Sequence, residues 1–329
     1  MNKIAFVYPG QGCQATGMGK ELYDNYPEAR EIFERASDAL GMDVAELCFS
    51  GSMEELSLTE NTQPTILTVS AALTRILKNR DITPDAVAGL SLGEYSALVA
   101  GDALSLEEAV SLVRTRGILM QEEVPAGVGG LLAVVGLTQE KIEQAIAPLQ
   151  QIGHITCSNF NSHDQIVIGG EMRLLEEAQA LLKEAGARMT TMLKVSAPFH
   201  TKMLTGAGKK LRAHLEEAKL RKPNADYYPN VLGKKLDWIE SDTSITKIKD
   251  EREQMIHLLE EQVSNPVKWV QTVESMIEDG VDTFVEVYPA KTVSSLIKKI
   301  SKDVRIVTLS NLNELQNFIE EQGGEQWAV

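Results

Sequence analysis

The chain has 329 residues, 43% of them hydrophobic, which predicts a globular protein with one large domain and a smaller insert. Its formal net charge of −15 excludes an overall basic surface, so we expect no nucleic-acid partner, because phosphate binding needs concentrated Lys and Arg. No apolar run is long enough to cross a bilayer and the first residues carry no cleavage-site pattern, so we expect no membrane partner and a cytoplasmic location.

The first part of the chain alternates predicted strands and helices. An apolar strand over Lys3–Tyr8 leads into the glycine-bearing loop Pro9-Gly10-Gln11-Gly12-Cys13-Gln14, which lacks the Gly-Lys-Ser/Thr of a Walker phosphate loop. In open α/β sheets such loops build the ligand crevice. Helical spacing and capping residues then predict three helices: Pro27–Leu40, Pro64–Arg80 with the proline in its first turn, and one that Ser105 caps and that runs to about Met120.

The pattern changes at the glycine run Gly127–Gly130. The predicted order from there is strand, helix, two strands, helix and strand, over Leu131–Val135, Thr138–Ile146, His154–Asn159, Gln165–Ile168, Met172–Ala185 and Arg188–Leu193. This is the order of a ferredoxin-like α+β unit. We therefore assign 127–197 to a small inserted subdomain, and 1–126 with 198–329 to the large one.

Beyond the insert, helices and strands alternate again. The predicted elements are Met203–Lys219, Lys249–Gln262, Trp269–Ile277, Thr283–Val287, Thr292–Ile300 and Val304–Leu309. Alternation at both ends of a chain favours a mostly parallel sheet covered by helices on two faces. The predicted fold class is α/β, with an α/β-hydrolase-like core and a smaller ferredoxin-like insert.

The pentapeptide Gly89-Leu90-Ser91-Leu92-Gly93 links a predicted strand over Asp85–Ala88 to a predicted helix over Glu94–Ala100. Gly-x-Ser-x-Gly in this setting is typical of a sharp turn that strains its central residue and exposes the serine hydroxyl. The Leu92 amide lies at a helix N-terminus, which favours a developing negative charge. The pattern predicts Ser91 as a nucleophile; the alternative is an ordinary glycine-bounded turn.

A nucleophilic serine needs a base and donors for the oxyanion. Four of the five histidines lie in predicted helices, at a strand start or in a polar turn, whereas His200 stands on the loop that returns from the insert. It is the candidate base, the alternative being a histidine that caps the next helix. Gln11 is the candidate second amide donor. Arg116 is a candidate clamp for a substrate carboxylate, the alternative being an interhelix salt bridge.

The residues predict neither a metal nor a cofactor. Cys13, Cys48 and Cys157 are widely separated and none has a metal-ligand spacing, so we expect reduced thiols. With Ala15 the first loop matches a loose dinucleotide-binding pattern, but the acids Glu31 and Glu34 about twenty residues later lie in a helical pattern rather than at the end of a second strand. We therefore expect no bound cofactor.

Several short motifs occur together in one order along the chain: Gly10–Gln14, Ser91–Leu98, Arg116-Gly117 with Met120-Gln121, Pro198-Phe199-His200, and Gln262 with Asn265-Pro266-Val267 and Trp269. In this combination the chain resembles malonyl-CoA:acyl-carrier-protein transacylases over essentially its whole length. The resemblance implies transfer of a malonyl group from CoA to the phosphopantetheine thiol of acyl carrier protein, in fatty-acid biosynthesis and by a ping-pong mechanism. It implies malonyl-CoA as substrate, acyl carrier protein as partner and no cofactor.

The resemblance also implies a role for each site residue. Ser91 is the nucleophile and His200 its base, and the Gln262 carbonyl orients the imidazole. The backbone amides of Gln11 and Leu92 form the oxyanion hole. Arg116 holds the malonyl carboxylate.

Three positions depart from the family pattern. Leu90 replaces a histidine that usually precedes the nucleophile, Leu131 stands where methionine is common, and Tyr288-Pro289-Ala290 replaces a Gly-Pro-Gly type of loop. These departures concern selectivity rather than the reaction class. They are compatible with a discrete acyltransferase that serves a polyketide synthase.

Other functions stay open at this point. They are a serine hydrolase that discharges carrier proteins, and a binding module without activity. For carrier-protein docking we hypothesise a role for one of two basic clusters, because carrier proteins are typically acidic. One is Lys209, Lys210 and Arg212, within a longer group with Lys219, Arg221 and Lys222; the other is Lys298, Lys299 and Lys302. We expect a monomer.

Overall fold

The computed structural model describes residues 3–195, 197–238 and 250–323. Three predictions touch residues outside these ranges: Ser196 in the loop that returns from the insert, Lys249 as the first residue of a helix, and the two ends of the large subdomain. Among the described residues, no helix is long and apolar enough to cross a membrane.

The larger sheet has five strands in the part of the chain that the structure describes. They are β1 (Lys3–Tyr8), β2 (Ala86–Gly89), β7 (Asp226–Tyr227), β8 (Val281–Glu286) and β9 (Arg305–Thr308). Their order is β7-β2-β1-β8-β9, and all four pairings are parallel. The central strand β1 is apolar from Ala5 to Tyr8 and fully buried there, because helices cover both faces of a parallel sheet.

The helices packed around this sheet come from both ends of the chain. They are α1 (Lys20–Asn25), α2 (Pro27–Leu40), α3 (Val44–Ser50), α4 (Met53–Ser57), α5 (Thr59–Lys78), α6 (Gly93–Ala100), α7 (Leu106–Glu123), α10 (Thr205–Glu217), α11 (Glu251–Gln262), α12 (Trp269–Glu278), α13 (Val293–Ile300) and α14 (Leu312–Glu321). α5 is buried along most of its length and packs between α2 and α7. Its side chains are apolar or small on nearly every face of the helix, as expected for a buried helix.

The smaller sheet lies between these two groups in the sequence. Its strands are β3 (Gly129–Val135), β4 (Ile155–Ser162), β5 (Gln165–Glu171) and β6 (Met189–Met192), with helices α8 (Gln139–Gln150) and α9 (Met172–Glu184). The order β4-β5-β3-β6 is antiparallel throughout, which is the ferredoxin-like arrangement. This sheet has an apolar core of its own with α8 and α9. The predicted fold class is confirmed; the exact subdomain boundaries stay a prediction.

One predicted helix start is wrong, and one predicted helix is divided in two. Pro64 does not open α5, which begins at Thr59, because the amides of Asn61 and Thr62 donate to the Leu58 carbonyl and form a turn upstream of the proline. Thr65 then donates its hydroxyl to the Asn61 carbonyl within the same turns. The helix predicted over Met203–Lys219 divides into a 3-10 turn, Lys202–Leu204, and α10.

The parallel register brings three loops to one edge of the larger sheet. Tyr8 pairs with Gly89, and Val7 pairs with Glu286, so β1, β2 and β8 end side by side. The Gln11 loop, the Ser91 turn and the segment after β8 therefore meet at the carboxyl edge, where open α/β sheets bind their ligands. The small sheet reaches the same region, because the Val267 amide donates to the Ser158 carbonyl of β4.

Candidate active site

Ser91 occupies a strained turn between β2 and α6. Its φ is 56°, in the left-handed region that non-glycine residues rarely adopt. The turn must be tight, because a Cβ on Gly93 would lie 2.3 Å from the Tyr8 carbonyl oxygen and one on Gly89 only 1.9 Å from the Gly93 carbonyl carbon. The two glycines thus allow close packing against β1, and the predicted strand-turn-helix geometry is confirmed.

Asn230 holds this turn from a loop of distant sequence. Its Oδ1 accepts a hydrogen bond of 2.7 Å from the Ser91 amide, and its Nδ2 donates to the Gly89 carbonyl at 2.6 Å. The residue is buried and lies just after β7. A single amide side chain therefore fixes the backbone on both sides of Leu90. No local pattern in the sequence predicts a role for this residue.

His200 lies where a base for Ser91 is needed. The Ser91 hydroxyl lies 2.7 Å from His200 Nε2, and His200 Nδ1 lies 2.8 Å from the Gln262 carbonyl oxygen. Because a carbonyl only accepts, Nδ1 carries the proton and Nε2 is free to accept one. Burial, followed by the nearby Arg116 charge, lowers the pKa of His200 to about 3. The imidazole is therefore neutral at physiological pH.

Arg116 projects from α7 and is buried beside the nucleophile. Its Nη2 donates to Ser91 Oγ at 3.2 Å and to Gln262 Oε1 at 2.9 Å, while Nη1 donates to Gln63 Oε1 at 2.7 Å. Within the described ranges no carboxylate oxygen lies within 4.0 Å of the guanidinium, so it forms no interhelix salt bridge there. A buried cation held only by neutral groups is a strong site for an anion.

Glu94 is a second buried charge beneath the turn. Its carboxylate accepts from Gln262 Nε2 at 2.7 Å, from the Asn230 amide at 3.2 Å and from the Tyr227 hydroxyl. Burial raises the pKa of Glu94 to about 7, although all three donors and the Arg116 charge act in the opposite direction. The Gln262 side chain bridges the two charges, with its oxygen toward Arg116 and its nitrogen toward Glu94.

The two predicted oxyanion donors lie on neighbouring loops. A Cβ on Gly10 would approach the Leu90 carbonyl oxygen to 2.6 Å, so the Gln11 loop packs against the Ser91 turn. Among the described residues, the backbone amides of Gln11 and Leu92 donate no hydrogen bond. Both are therefore available to an incoming oxygen. Their role in the reaction stays a prediction.

The structure thus brings Ser91, His200, Gln262 and Arg116 into direct contact, with Gln11 and Leu92 on the adjoining loops. Gln63, Glu94, Tyr227 and Asn230 join them without having been predicted. In the described part of the chain, no group of three or more His, Cys, Asp or Glu side chains is placed to hold a metal, and the three cysteines are free. The arrangement supports attack of a serine on an acyl carbonyl beside a bound anion.

A family model described as an acyl transferase domain matches residues 5–315. The chain is 39% identical over 321 residues to a malonyl CoA-acyl carrier protein transacylase of Bacillus subtilis (strain 168), covering 97% of each sequence. The chain belongs to this family. A family member from Haemophilus influenzae is 38% identical, and the match covers 98% of this chain and 99% of that one. The family predicted from the motifs is confirmed.

Solved structures of the family share the whole fold. The malonyl CoA-acyl carrier protein transacylase of Clostridium perfringens has a TM-score of 0.89 at 40% identity, covering 98% of this chain and 97% of that one. A malonyl-transacylase solved in complex with a type II polyketide synthase acyl-carrier protein has a TM-score of 0.90 at 36% identity, covering 97% and 100%. The structural likeness to this family therefore extends over both sheets.

Proposed function

We propose that the protein transfers a malonyl group from CoA to the phosphopantetheine thiol of an acyl carrier protein, in fatty-acid biosynthesis. The observation that carries this proposal is the position of Arg116, whose guanidinium donates to the same Ser91 oxygen that contacts His200 Nε2. A nucleophile next to a buried, unneutralised cation fits an acyl group that ends in a carboxylate. The names of the relatives agree with this substrate.

The first half-reaction loads the serine. Ser91 Oγ attacks the thioester carbonyl and its proton passes to His200 Nε2, while the Gln262 carbonyl holds the Nδ1–H side of the ring. The amides of Gln11 and Leu92 stabilise the tetrahedral oxyanion. Collapse breaks the C–S bond, and the proton on His200 leaves with the CoA thiol. The product of this step is malonyl-Ser91.

The second half-reaction transfers the malonyl group from Ser91 to the carrier protein. The carrier-protein thiol gives its proton to His200 and attacks the ester carbonyl, and Ser91 leaves with that proton. No cofactor takes part in either step, so both depend on the same base and the same oxyanion donors. Arg116 holds the malonyl carboxylate throughout, which keeps the carbonyl carbon in reach of both nucleophiles.

For the carrier protein we favour the cluster on α13 over the cluster on α10. On α10, Arg212 is paired with Glu216, Glu253 and Glu260 and Lys210 with Glu123, so among the described residues only Lys209 of that cluster lacks an acidic partner. In contrast, a groove of about 590 Å³ along α13 and β9 is lined by Lys298 and Lys302, and also by Lys291, which is paired with Glu314 at 2.9 Å. Among the described residues, Lys298 and Lys302 have no acidic partner. This α13 groove offers unpaired positive charge to an acidic partner.

Two related activities remain alternatives. A discrete acyltransferase of a polyketide synthase has the same chemistry, and one structural relative was solved with such a carrier protein. Activity on several carrier proteins separates this possibility from fatty-acid synthesis. A carrier-protein hydrolase would release free acid, but the unneutralised Arg116 favours a bound anionic acyl group. The monomeric state and the cytoplasmic location are further parts of the proposal.

The test is the intact mass of the wild-type protein and of Ser91→Ala after brief incubation with malonyl-CoA or acetyl-CoA. We expect a malonyl adduct on the wild type alone, with little acetyl adduct. CoA release without an adduct would indicate a hydrolase. Neither adduct nor CoA release would leave a binding module and would contradict the proposed function.

A further inference from the structure

The Ser91 oxygen has two partners, and they act on it in opposite ways. His200 Nε2 accepts its proton, which increases nucleophilicity, whereas Arg116 Nη2 donates to it at 3.2 Å. In the attack, negative charge moves from the serine oxygen to the thioester carbonyl oxygen. A cation that binds the serine oxygen therefore stabilises the ground state more than the transition state, and slows acylation.

Arg116 is held in this position by groups that do not cancel its charge. Gln63 and Gln262 each give it a carbonyl oxygen, at 2.7 and 2.9 Å. The Gln262 amide is in turn fixed, because its nitrogen donates to the Glu94 carboxylate and to the Ser91 carbonyl at 2.9 Å. The guanidinium is therefore anchored next to the serine and still able to take an anion.

We propose that Arg116 restrains the nucleophile until a carboxylate arrives, and that the carboxylate of the malonyl group takes over the donor that Ser91 releases. This inference rests on the proposed function and concerns how the same site selects its acyl group. A substrate without a carboxylate meets a serine that is still bound to Arg116. Selectivity is then expressed in the rate of acylation as well as in binding.

The arrival of the substrate carboxylate also affects His200, the base. Besides burial, the Arg116 charge is what lowers the pKa of His200, and a bound carboxylate neutralises that charge. The pKa of His200 then rises toward the range in which a general base is most effective. Glu94 does not provide this neutralisation in the free protein, because Gln262 stands between the two charges. One substrate group thus releases the nucleophile and strengthens its base.

The test supplies the carboxylate separately from the acyl group. The rate of Ser91 acetylation by acetyl-CoA is measured by quenched intact mass with increasing formate, and with chloride at matched ionic strength. We expect formate, but not chloride, to accelerate acetylation on the order of tenfold. The Arg116→Gln variant should acetylate faster than the wild type without formate, should not respond to formate, and should load malonyl more slowly.

Arg114→Gln is the matched control, because Arg114 lies on the same helix but contacts Met42 rather than the site. It should behave as the wild type with both substrates. The proposal is overturned if formate leaves wild-type acetylation unchanged, or if Arg116→Gln acetylates no faster than the wild type. The malonyl-CoA reaction of the wild type is run in parallel, and its failure would instead count against the proposed function.

Discussion

Glu94 is a carboxylate buried under the nucleophile, and its ionisation should be visible in the stability of the protein. Burial raises its pKa from 4.5 to about 7. Between these values the folded state holds a proton that the unfolded state has lost. The stabilising contribution is therefore complete below pH 4.5 and is lost as the pH rises through 7.

The Glu94→Gln variant lacks this dependence. Between pH 4.5 and 7 we expect the wild type to lose about 3 kcal/mol of unfolding free energy relative to the variant. Urea denaturation of both proteins at several pH values measures the difference. Glu55→Gln is the control, because Ser52 lowers the pKa of Glu55, so its contribution has the opposite sign and is lost as the pH falls below 4.5 rather than as it rises toward 7. Parallel curves for wild type and Glu94→Gln would show that Glu94 keeps an ordinary pKa.

At the scale of single residues, the sequence reveals those site residues that belong to a recognisable local motif. Ser91 could be predicted because its strand, its two glycines and its helix are adjacent in the chain. Gln63, Asn230 and Tyr227 could not, since each reaches the site from an element far away in sequence. Glu94 follows the turn directly, but an acid in the first turn of a helix usually indicates favourable capping at the surface. Its burial depends on tertiary packing.

The turn between β2 and α6 depends on the absence of a side chain at Gly93. In Gly93→Ala the new Cβ would meet the carbonyl oxygens of Tyr8 and Pro9 at 2.3 and 2.8 Å. β1 is a central strand and cannot move aside, so the turn must shift. We expect a loss of about 2 kcal/mol or more in stability, and a fall in the rate of Ser91 acylation. Thermal unfolding and single-turnover loading measure the two effects.

The control for this variant is Gly186→Ala in the small subdomain. Gly186 has a φ of 99°, but a Cβ there would meet no atom within 4 Å. The substitution strains the backbone by about 1 kcal/mol and should leave acylation unchanged. If Gly93→Ala reduced stability by no more than this control and loaded at the wild-type rate, close packing against β1 would not be what positions Ser91.

At the scale of secondary-structure elements, long sequence patterns predict helices and strands better than short patterns do. Five of the six strands and helices of the ferredoxin-like unit have seven residues or more, and the order of all six was predicted. The helices α1, α3, α4 and α14 were missed, although the last three each carry a capping signal that would have found them. Ser52 and Glu55 form a capping box, and Asn311 caps α14 through the Glu314 amide. The strand β7 has two residues, which is too short for any periodicity.

Across the whole molecule, charge is distributed unevenly. The net charge of −15 repels an acidic partner, so docking requires a local surface of opposite sign. The α13 groove begins at Lys291, just beyond the segment that follows β8 at the carboxyl edge of the sheet, and continues to Lys302. The sequence predicted Lys298 and Lys302 of this groove, but only the structure shows that Lys210 and Arg212 on α10 are paired with acids from α7 and α11.

Charge reversal separates the two surfaces. In a variant that combines Lys298→Glu and Lys302→Glu, we expect the KM for acyl carrier protein to rise about tenfold at low salt. The reason is that the variant loses both the electrostatic attraction that steers the acidic carrier protein and the charged contacts at the rim of the interface. Loading of Ser91 from malonyl-CoA should be unchanged, because neither lysine contacts the site. The measurement is the steady-state transfer rate against carrier-protein concentration, at two ionic strengths.

Lys210→Glu is the control, since it makes the same kind of charge reversal on α10, where Lys210 is paired with Glu123 at 2.7 Å, outside the α13 groove. It should leave the KM for the carrier protein within about twofold of the wild type. Added salt should raise the wild-type KM toward that of the double variant, because screening removes the same attraction. A double variant with an unchanged KM and an unchanged salt dependence would place the carrier protein elsewhere on the molecule.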